Sequence, residues 1–146
     1  MEDKLVFAYV ESDGEEGALL LGEEGLYFQR YLNGEEYFAY LGESVSINST
    51  GAFGAINFIS KLSKESKVTP REMAHRIRSQ LSVGELLENG LVEYYSWKEI
   101  INCNNRKIMG VLEVVTSTGR VFKLKVPEER EHAYKAIKKC IDGIKA

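Results

Sequence analysis

The chain has 146 residues, of which 44% are hydrophobic, and its net charge at pH 7 is −3. This length suits one domain that buries roughly two-thirds of the surface its unfolded chain exposes. Two prolines and 13 glycines exclude a collagen-like or linker-like chain. The small net charge does not demand a polyanionic or polycationic partner.

Charge is unevenly distributed along the chain. Residues 1–49 carry eleven acidic against two basic side chains, a local net charge of −9. Residues 50–81 carry six basic against two acidic side chains, a local net charge of +4. Solvated surface is the ordinary explanation of such asymmetry, and orientation of a charged partner is the functional alternative.

The N-terminal residues and the cysteines indicate the compartment. Residues 1–4 lack the basic region and cleavage site of a secretory signal, and the apolar run over 5–10 is too short to span a bilayer. Cys103 and Cys140 lack CxxC spacing, which indicates neither a disulfide framework nor a zinc site. We therefore expect a cytoplasmic protein without a transmembrane segment.

The first third of the chain predicts four antiparallel strands. Runs of aromatic and β-branched residues alternate with turn signals, of which Asn33-Gly34 is the strongest because type I′ turns require positive φ at both central residues. The predicted strands cover residues 5–10, 18–21, 26–31 and 36–41.

Helical periodicity then replaces the alternation over residues 50–90. Apolar residues recur at helical spacing between Ala52 and Leu62, and Thr69-Pro70 predicts a helix start, with a matching stripe through Leu81. Ser82 and Glu85 form a second capping signature. We expect two or three helices inserted between the fourth and fifth strands.

The last third predicts three more strands and a closing helix. Strand character covers 91–101, 108–116 and 121–126, with turns expected at Asn104-Asn105 and over 117–119. In the last strand Phe122, Leu124 and Val126 alternate with lysines, which predicts one buried face and one wet face. A helix is expected from Pro127, with its buried stripe at Ala133, Ile137, Cys140, Ile141 and Ile144.

Seven antiparallel strands followed by one helix resemble the pleckstrin-homology-like superfold, including its GRAM relatives. The resemblance is clearest over 92–146, where 97–100 matches the fifth strand of that family, Gly119 its last hairpin and the segment from Glu128 its capping helix. It implies a single PH-like domain over 1–146, mainly β with α, in which the helix closes a barrel. Residues 50–90 depart from the family, which has a short connection there.

The resemblance also implies a test for phosphoinositide binding. Relatives that bind these lipids place Lys and Arg at the end of the first strand and in the following loop. Here residues 11–16 read Glu-Ser-Asp-Gly-Glu-Glu, and their carboxylates would repel a phosphorylated headgroup. We expect no phosphoinositide binding.

Catalytic motifs are not evident. Neither His75 nor His132 has a Cys or Asp at motif spacing, and paired acids such as Glu15-Glu16 fall in hairpin loops. Gly51–Gly54 precedes a helical pattern but lacks the lysine of a phosphate-binding loop. We therefore expect that the protein is not an enzyme and binds no cofactor.

The preferred hypothesis is a non-catalytic scaffold or interaction module that binds a protein partner or a second copy of itself. Eight tyrosines, six phenylalanines and one tryptophan exceed what a thin barrel core hides, so some aromatic side chains are expected beside the insertion. Packing beneath the helices is the alternative explanation. The candidate contact residues are Tyr37, Tyr95, Trp97, Lys64, Lys67, Arg71, Arg76 and Arg78.

Nucleic-acid binding through the basic insertion is the alternative function. The cations between Lys61 and Arg78 could contact phosphates, and residues 69–92 superficially resemble a helix-turn-helix with a wing. The expected turn lacks glycine and the chain as a whole is acidic. A solvated helix face explains the same pattern.

Overall fold

The described residues form one open antiparallel sheet of seven strands and three helices, the last of which follows the last strand, in a computed structural model of the chain. The structure describes residues 5–32, 69–88 and 90–145. The strands are β1 Leu5–Ser12, β2 Glu15–Leu21, β3 Gly25–Arg30, β4 Glu93–Ser96, β5 Ile100–Arg106, β6 Val111–Thr116 and β7 Val121–Lys125. The helices are α1 Pro70–Gln80, α2 Val83–Glu88 and α3 Arg130–Lys145.

Strand order in the sheet is β4-β3-β2-β1-β7-β6-β5. Consecutive strands are neighbours throughout except for β4 and β5, and the first strand lies beside the last. The two outer strands of this order, β4 and β5, are joined by a turn over residues 97–99.

The chain divides into two compact units. The helical unit comprises Met1–Glu2 and Gln29–Glu93, and the sheet unit comprises Asp3–Phe28 and Tyr94–Ala146.

The core of the sheet unit follows the alternation expected of strands. In β7, Phe122 and Leu124 are buried while the side chains on either side of each are exposed, as the sequence predicts. The predicted stripe of α3 packs against the same core through its buried members. The core cluster consists of Phe7, Val10, Leu19, Leu21, Leu26, Phe28, Trp97, Ile100, Cys103, Leu112, Val114, Phe122, Leu124, Val126, Ala133, Ile137 and Ile141.

Both predicted helix starts of the helical unit are confirmed. The Thr69 hydroxyl accepts a hydrogen bond from the Glu72 amide at 3.2 Å, with Pro70 in the first helical turn. At α2, the Ser82 amide donates to the Glu85 carboxylate and the Glu85 amide donates to the Ser82 hydroxyl, both at 3.2 Å. This reciprocal pair is a capping box, which the sequence spacing alone identified.

The prediction of one strand over 91–101 was wrong. That segment contains β4, the turn over 97–99 and the start of β5, and Asn104-Asn105 lies inside β5 rather than in a turn. The asparagine side chains bond along and across the strand, which offsets their usual preference for turns. The hairpin turn instead covers 107–110, where Gly110 has φ +71°.

The closing helix also differs from the prediction at both ends. It starts at Arg130 rather than Pro127, because Glu128 has φ +66°, which no right-handed helix accommodates. Near the other end Ile144 is 45% exposed, so the buried stripe ends at Ile141.

Three predicted features lie outside the described residues: the Asn33-Gly34 turn, the strand over 36–41 and the helical pattern over 52–62. Among the described elements, α1 and α2 stand between β3 and β4.

Gly25 generates a test of strand packing. A Cβ at this position would overlap the Tyr95 carbonyl oxygen and a ring carbon of Tyr94, whereas a Cβ at Gly143 in α3 meets nothing within 4 Å. We expect Gly25→Ala to destabilise the protein by about 1–3 kcal/mol through overpacking. Gly143→Ala should be neutral or stabilising by up to about 1 kcal/mol, because alanine favours helix.

Denaturant unfolding of both variants measures this difference. Equal stabilities for Gly25→Ala and Gly143→Ala would contradict the close contact between β3 and β4.

Candidate functional site

The two aromatic candidates that the structure describes belong partly to the core. Trp97 is 2% exposed, and its indole Nε1 donates to the Gly22 carbonyl at 3.0 Å. Tyr95 is half-buried and stacks on Phe122 with ring centroids 4.8 Å apart. The expectation that Trp97 offers an accessible contact surface is therefore not met, because the ring fills the core and its donor is engaged.

The three described basic candidates lie on α1 in different surroundings. Arg71 and Arg76 are exposed, and the Arg71 guanidinium lies 5.8 Å from the centre of the Tyr31 ring. Arg78 is 8% exposed and donates to the buried Gln29 side-chain oxygen at 2.8 Å, while the Gln29 amide donates to the Ala74 carbonyl at 3.1 Å. Arg78 thus joins α1 to the end of β3 rather than facing a phosphate. Tyr37, Lys64 and Lys67 lie outside the described residues.

Burial makes Cys103 a poor nucleophile. Desolvation raises the pKa of its thiol to about 12, against a smaller opposing effect of Lys138. The thiolate is the reactive form of cysteine, so this side chain is inert near neutral pH.

The two histidines contact groups unrelated to Cys103. His75 Nδ1 lies 3.5 Å from Arg78 Nη2, and the His132 ring contacts Phe7 edge-on at 5.2 Å. These contacts do not form a nucleophile–base pair.

The β1–β2 turn is as acidic as the sequence indicates. Asp13 and Gly14 form the turn, with Glu15 and Glu16 exposed beside it. The Asp13 carboxylate accepts a hydrogen bond from the Lys123 amide at 3.4 Å. Exposed carboxylates therefore surround this turn.

The exposed apolar side chains draw attention to a different element, the turn between β5 and β6, here called the hairpin tip (residues 107–110). Ile108 is fully exposed and Met109 is 58% exposed. Single exposed apolar residues are ordinary on a protein surface. Two adjacent ones at the end of a hairpin are not, because turns favour Gly, Asn, Asp, Ser and Pro, and a β-branched side chain gains nothing there from packing.

Backbone hydrogen bonds hold the hairpin tip. The Gly110 amide donates to the Arg106 carbonyl at 2.9 Å and to the Lys107 carbonyl at 3.3 Å. Arg106 pairs with Val111 at the last ladder position, and Gly110 supplies the positive φ that reverses the chain.

A chain of side-chain hydrogen bonds, here called the asparagine ladder, braces the strands behind the tip. Lys138 on α3 donates to Asn102 at 3.2 Å, Asn102 donates to Asn104 at 2.9 Å, and Asn104 donates to Glu113 at 3.2 Å. Arg106 donates to the same Glu113 oxygen at 3.1 Å. The hydrogen bonds from Arg106, and next from Asn104, lower the pKa of Glu113, so its carboxylate stays charged.

A polar depression of about 430 Å³ lies beside the tip. Asn105 donates to the Glu131 carboxylate at 2.8 Å, while the buried Asn105 side-chain oxygen has no hydrogen-bond partner among the described residues. The hairpin therefore places an apolar projection next to a polar hollow. The lining residues are Asn104, Asn105, Arg106, Lys107, Glu131 and Tyr134.

One residue of the sequence, Gly110, indicates the turn at the hairpin tip, but the apolar run beside it favours a strand. The sequence pattern predicts a strand over 108–116 that includes Ile108 and Met109, whereas the structure places both in the turn and begins the strand at Val111. The glycine at position 110, one residue before that run, indicates the turn. It makes a strand that begins at Ile108 less plausible than one that begins at Val111.

The described parts of the chain offer neither a metal site nor a membrane-spanning helix. Across residues 5–32, 69–88 and 90–145, no group of three His, Cys, Asp or Glu side chains is arranged to hold a metal ion. None of the helices in that part of the chain combines the length and apolar character that a membrane span needs.

Known proteins resemble this chain only weakly. No protein-family model matches the chain, and no curated protein sequence matches it. One solved structure, the C-terminal domain of an unknown protein from Leishmania infantum, is similar with a TM-score of 0.48 and 13% sequence identity, covering 96% of this chain and 84% of that one. A likeness at this level carries no argument about function.

The Arg78–Gln29 pair generates a prediction about stability. Arg78→Met removes the donor that the buried Gln29 oxygen accepts, so we expect a loss of about 1–3 kcal/mol in unfolding free energy. Arg76→Met, an exposed change on the same helix, should stay within about 0.5 kcal/mol of the parent. Urea unfolding measures both, and equal effects would show that the Arg78 contact contributes nothing specific.

Cys103 generates a prediction about alkaline pH. Below about pH 9 the thiol is protonated in both states and adds no pH dependence. Between about pH 9 and 12 the unfolded chain loses this proton while the folded chain keeps it, so stability falls as pH rises, by at most about 1.4 kcal/mol per pH unit. Cys103→Val should therefore lose less stability over this range than the parent.

The comparison of these two proteins isolates the thiol. Burial also raises the pKa values of Tyr27 and Tyr94, but both tyrosines are present in the parent and the variant. Parallel stability–pH curves from chemical denaturation would rule out the raised pKa of Cys103.

Proposed function

We propose that this chain is a non-catalytic protein-interaction module, built on a PH-like rolled sheet, that binds a protein partner through the hairpin tip. The observation that carries the proposal is the side-by-side exposure of Ile108 and Met109 at the end of a braced hairpin. Burying each side chain against a partner would stabilise a complex by about 1.5–3 kcal/mol.

The strands behind the hairpin tip are held rigidly, which lowers the entropy cost of binding a partner there. The asparagine ladder fixes β5 against β6 and against α3, so little conformational entropy remains to be lost when a partner covers the tip. Methionine adds an adaptable contact beside the stiff isoleucine. The braced hairpin thus presents a small apolar projection whose backbone is already ordered.

The PH-like part of the proposal is supported by the strand order. Every consecutive pair of strands is adjacent except β4 and β5, and β1 lies beside β7. The stacking of Tyr95 on Phe122 brings side chains of β4 and β7 together, as rolling of the sheet requires. In such a barrel α3 would close one end, with Ala133, Ile137 and Ile141 facing the core.

A cytoplasmic site of action remains part of the proposal. Neither Cys103 nor Cys140 forms a disulfide, which suits a reducing compartment. Nucleic-acid binding is not adopted, because Arg78, one of the cations on which that alternative relied, is buried against Gln29.

The hairpin tip provides the decisive test. A double variant, Ile108→Ser with Met109→Ser, should fold like the parent, since both side chains are exposed, and should lose the partner. Val121→Ser is the matched control, because Val121 is 50% exposed on β7. Affinity capture from cells, quantified for the three proteins, measures retention, and size-exclusion chromatography measures self-association.

Two outcomes contradict the proposal. In one, the double variant retains as much partner as the parent and the Val121→Ser control. In the other, the parent protein is a strict monomer that retains no partner.

A further inference from the structure

Two cations, Lys107 and Arg130, lie at the hairpin tip. The Arg130 Nη1 atom lies 3.5 Å from the position that a Cβ on Gly110 would occupy, so its guanidinium lies against the tip. Lys107 is exposed within the tip itself. Neither side chain makes an ion pair or a hydrogen bond to any residue of the described chain, and the buried Nε of Arg130 has no acceptor there.

Two carboxylates on neighbouring elements, Glu113 and Glu131, accept hydrogen bonds from other residues. Glu113 accepts hydrogen bonds from Arg106 and Asn104, which neutralises the Arg106 charge. Glu131 accepts from Asn105. Lys107 and Arg130 therefore carry the positive charge beside the apolar tip, while Glu131, whose hydrogen-bond partner is a neutral amide, keeps its negative charge.

Covering the tip would remove water from these two cations as well. An unpaired cation loses hydration free energy when it is buried, and a carboxylate in reach offsets that loss. From the proposed function, on which this step rests, we infer that the partner is a protein with an apolar pocket rimmed by Asp or Glu. Ile108 and Met109 enter the pocket, and Lys107 and Arg130 pair with the rim.

An anionic bilayer is the competing surface and fits the tip less well. Arg130 follows Glu128 and Glu129, which are exposed, and precedes Glu131 at the start of α3. A lipid surface spreads its negative charge laterally. It would attract the two cations but would also repel these acids. A protein pocket can place its carboxylates beside Lys107 and Arg130 alone.

A displayed library of random short peptides, selected against the immobilised full chain, tests the inference. The parent should select peptides in which apolar residues are flanked by Asp or Glu. Lys107→Glu with Arg130→Glu should bind these peptides at least about tenfold more weakly and should select Lys or Arg instead. Lys135→Glu with Lys139→Glu changes the net charge equally on an exposed part of α3 and should bind like the parent.

Salt dependence and lipid binding complete the experiment. Affinity of the parent for the selected peptides should fall as ionic strength rises, since the rim pairs remain partly exposed. Vesicles of phosphatidylserine and phosphatidylcholine should not sediment the protein. Sedimentation that depends on Lys107 and Arg130 would assign the surface to lipid and overturn the inference.

The remaining outcomes separate the two proposals. Selected peptides that need Ile108 and Met109 but carry no carboxylates would overturn the acidic rim and leave the docking role of the tip intact. Equal binding by the two charge-reversed variants overturns the rim as well. Failure to select any peptide that distinguishes the parent from the Ile108→Ser, Met109→Ser variant counts against both.

Discussion

Strands β1 and β7 pair over only two positions, Glu11 with Lys125 and Ser12 with Leu124, yet this pairing joins residues more than a hundred positions apart. Two hydrogen bonds extend it, from the Asp13 amide to the Lys123 carbonyl at 3.3 Å and from the Lys123 amide to the Asp13 carboxylate at 3.4 Å. The β5–β6 and β6–β7 pairings are local, so they form at a small loop-closure cost. The long-range pair fixes β7 beside β1, and β6 and β5 follow from it.

The candidate surface is a consequence of that arrangement. As an outer strand, β5 is held by β6 on one side and by α3 on its inner face, with Cys103 in the core. Its polar side chains bond to one another, to Glu113 and to Lys138, which stiffens the hairpin without filling its tip. The strands behind the tip hold its backbone in place. The exposed side chains of Ile108 and Met109 themselves contribute little to the stability of the fold.

Local chemistry was determined by the sequence wherever one signal acted without competition. Thr69 caps α1 and Ser82 with Glu85 forms a capping box, because these side chains satisfy backbone groups only a few residues away. The alternation of apolar and charged residues in β7 predicts its buried face. The acidic residues of the β1–β2 turn are evident from the sequence itself. Each of these features depends on neighbours within one element or one hairpin.

Tertiary structure decided the features for which two local signals compete or no local signal exists. Asn104 and Asn105 favour a turn alone, but Glu113 and Glu131 come from other elements to bond them, so they lie in a strand. Arg78 has the pattern of a surface cation, and only the approach of Gln29 made it a buried donor. The cation pair at Lys107 and Arg130 arises because α3 begins beside Gly110, a proximity that no spacing in the sequence encodes.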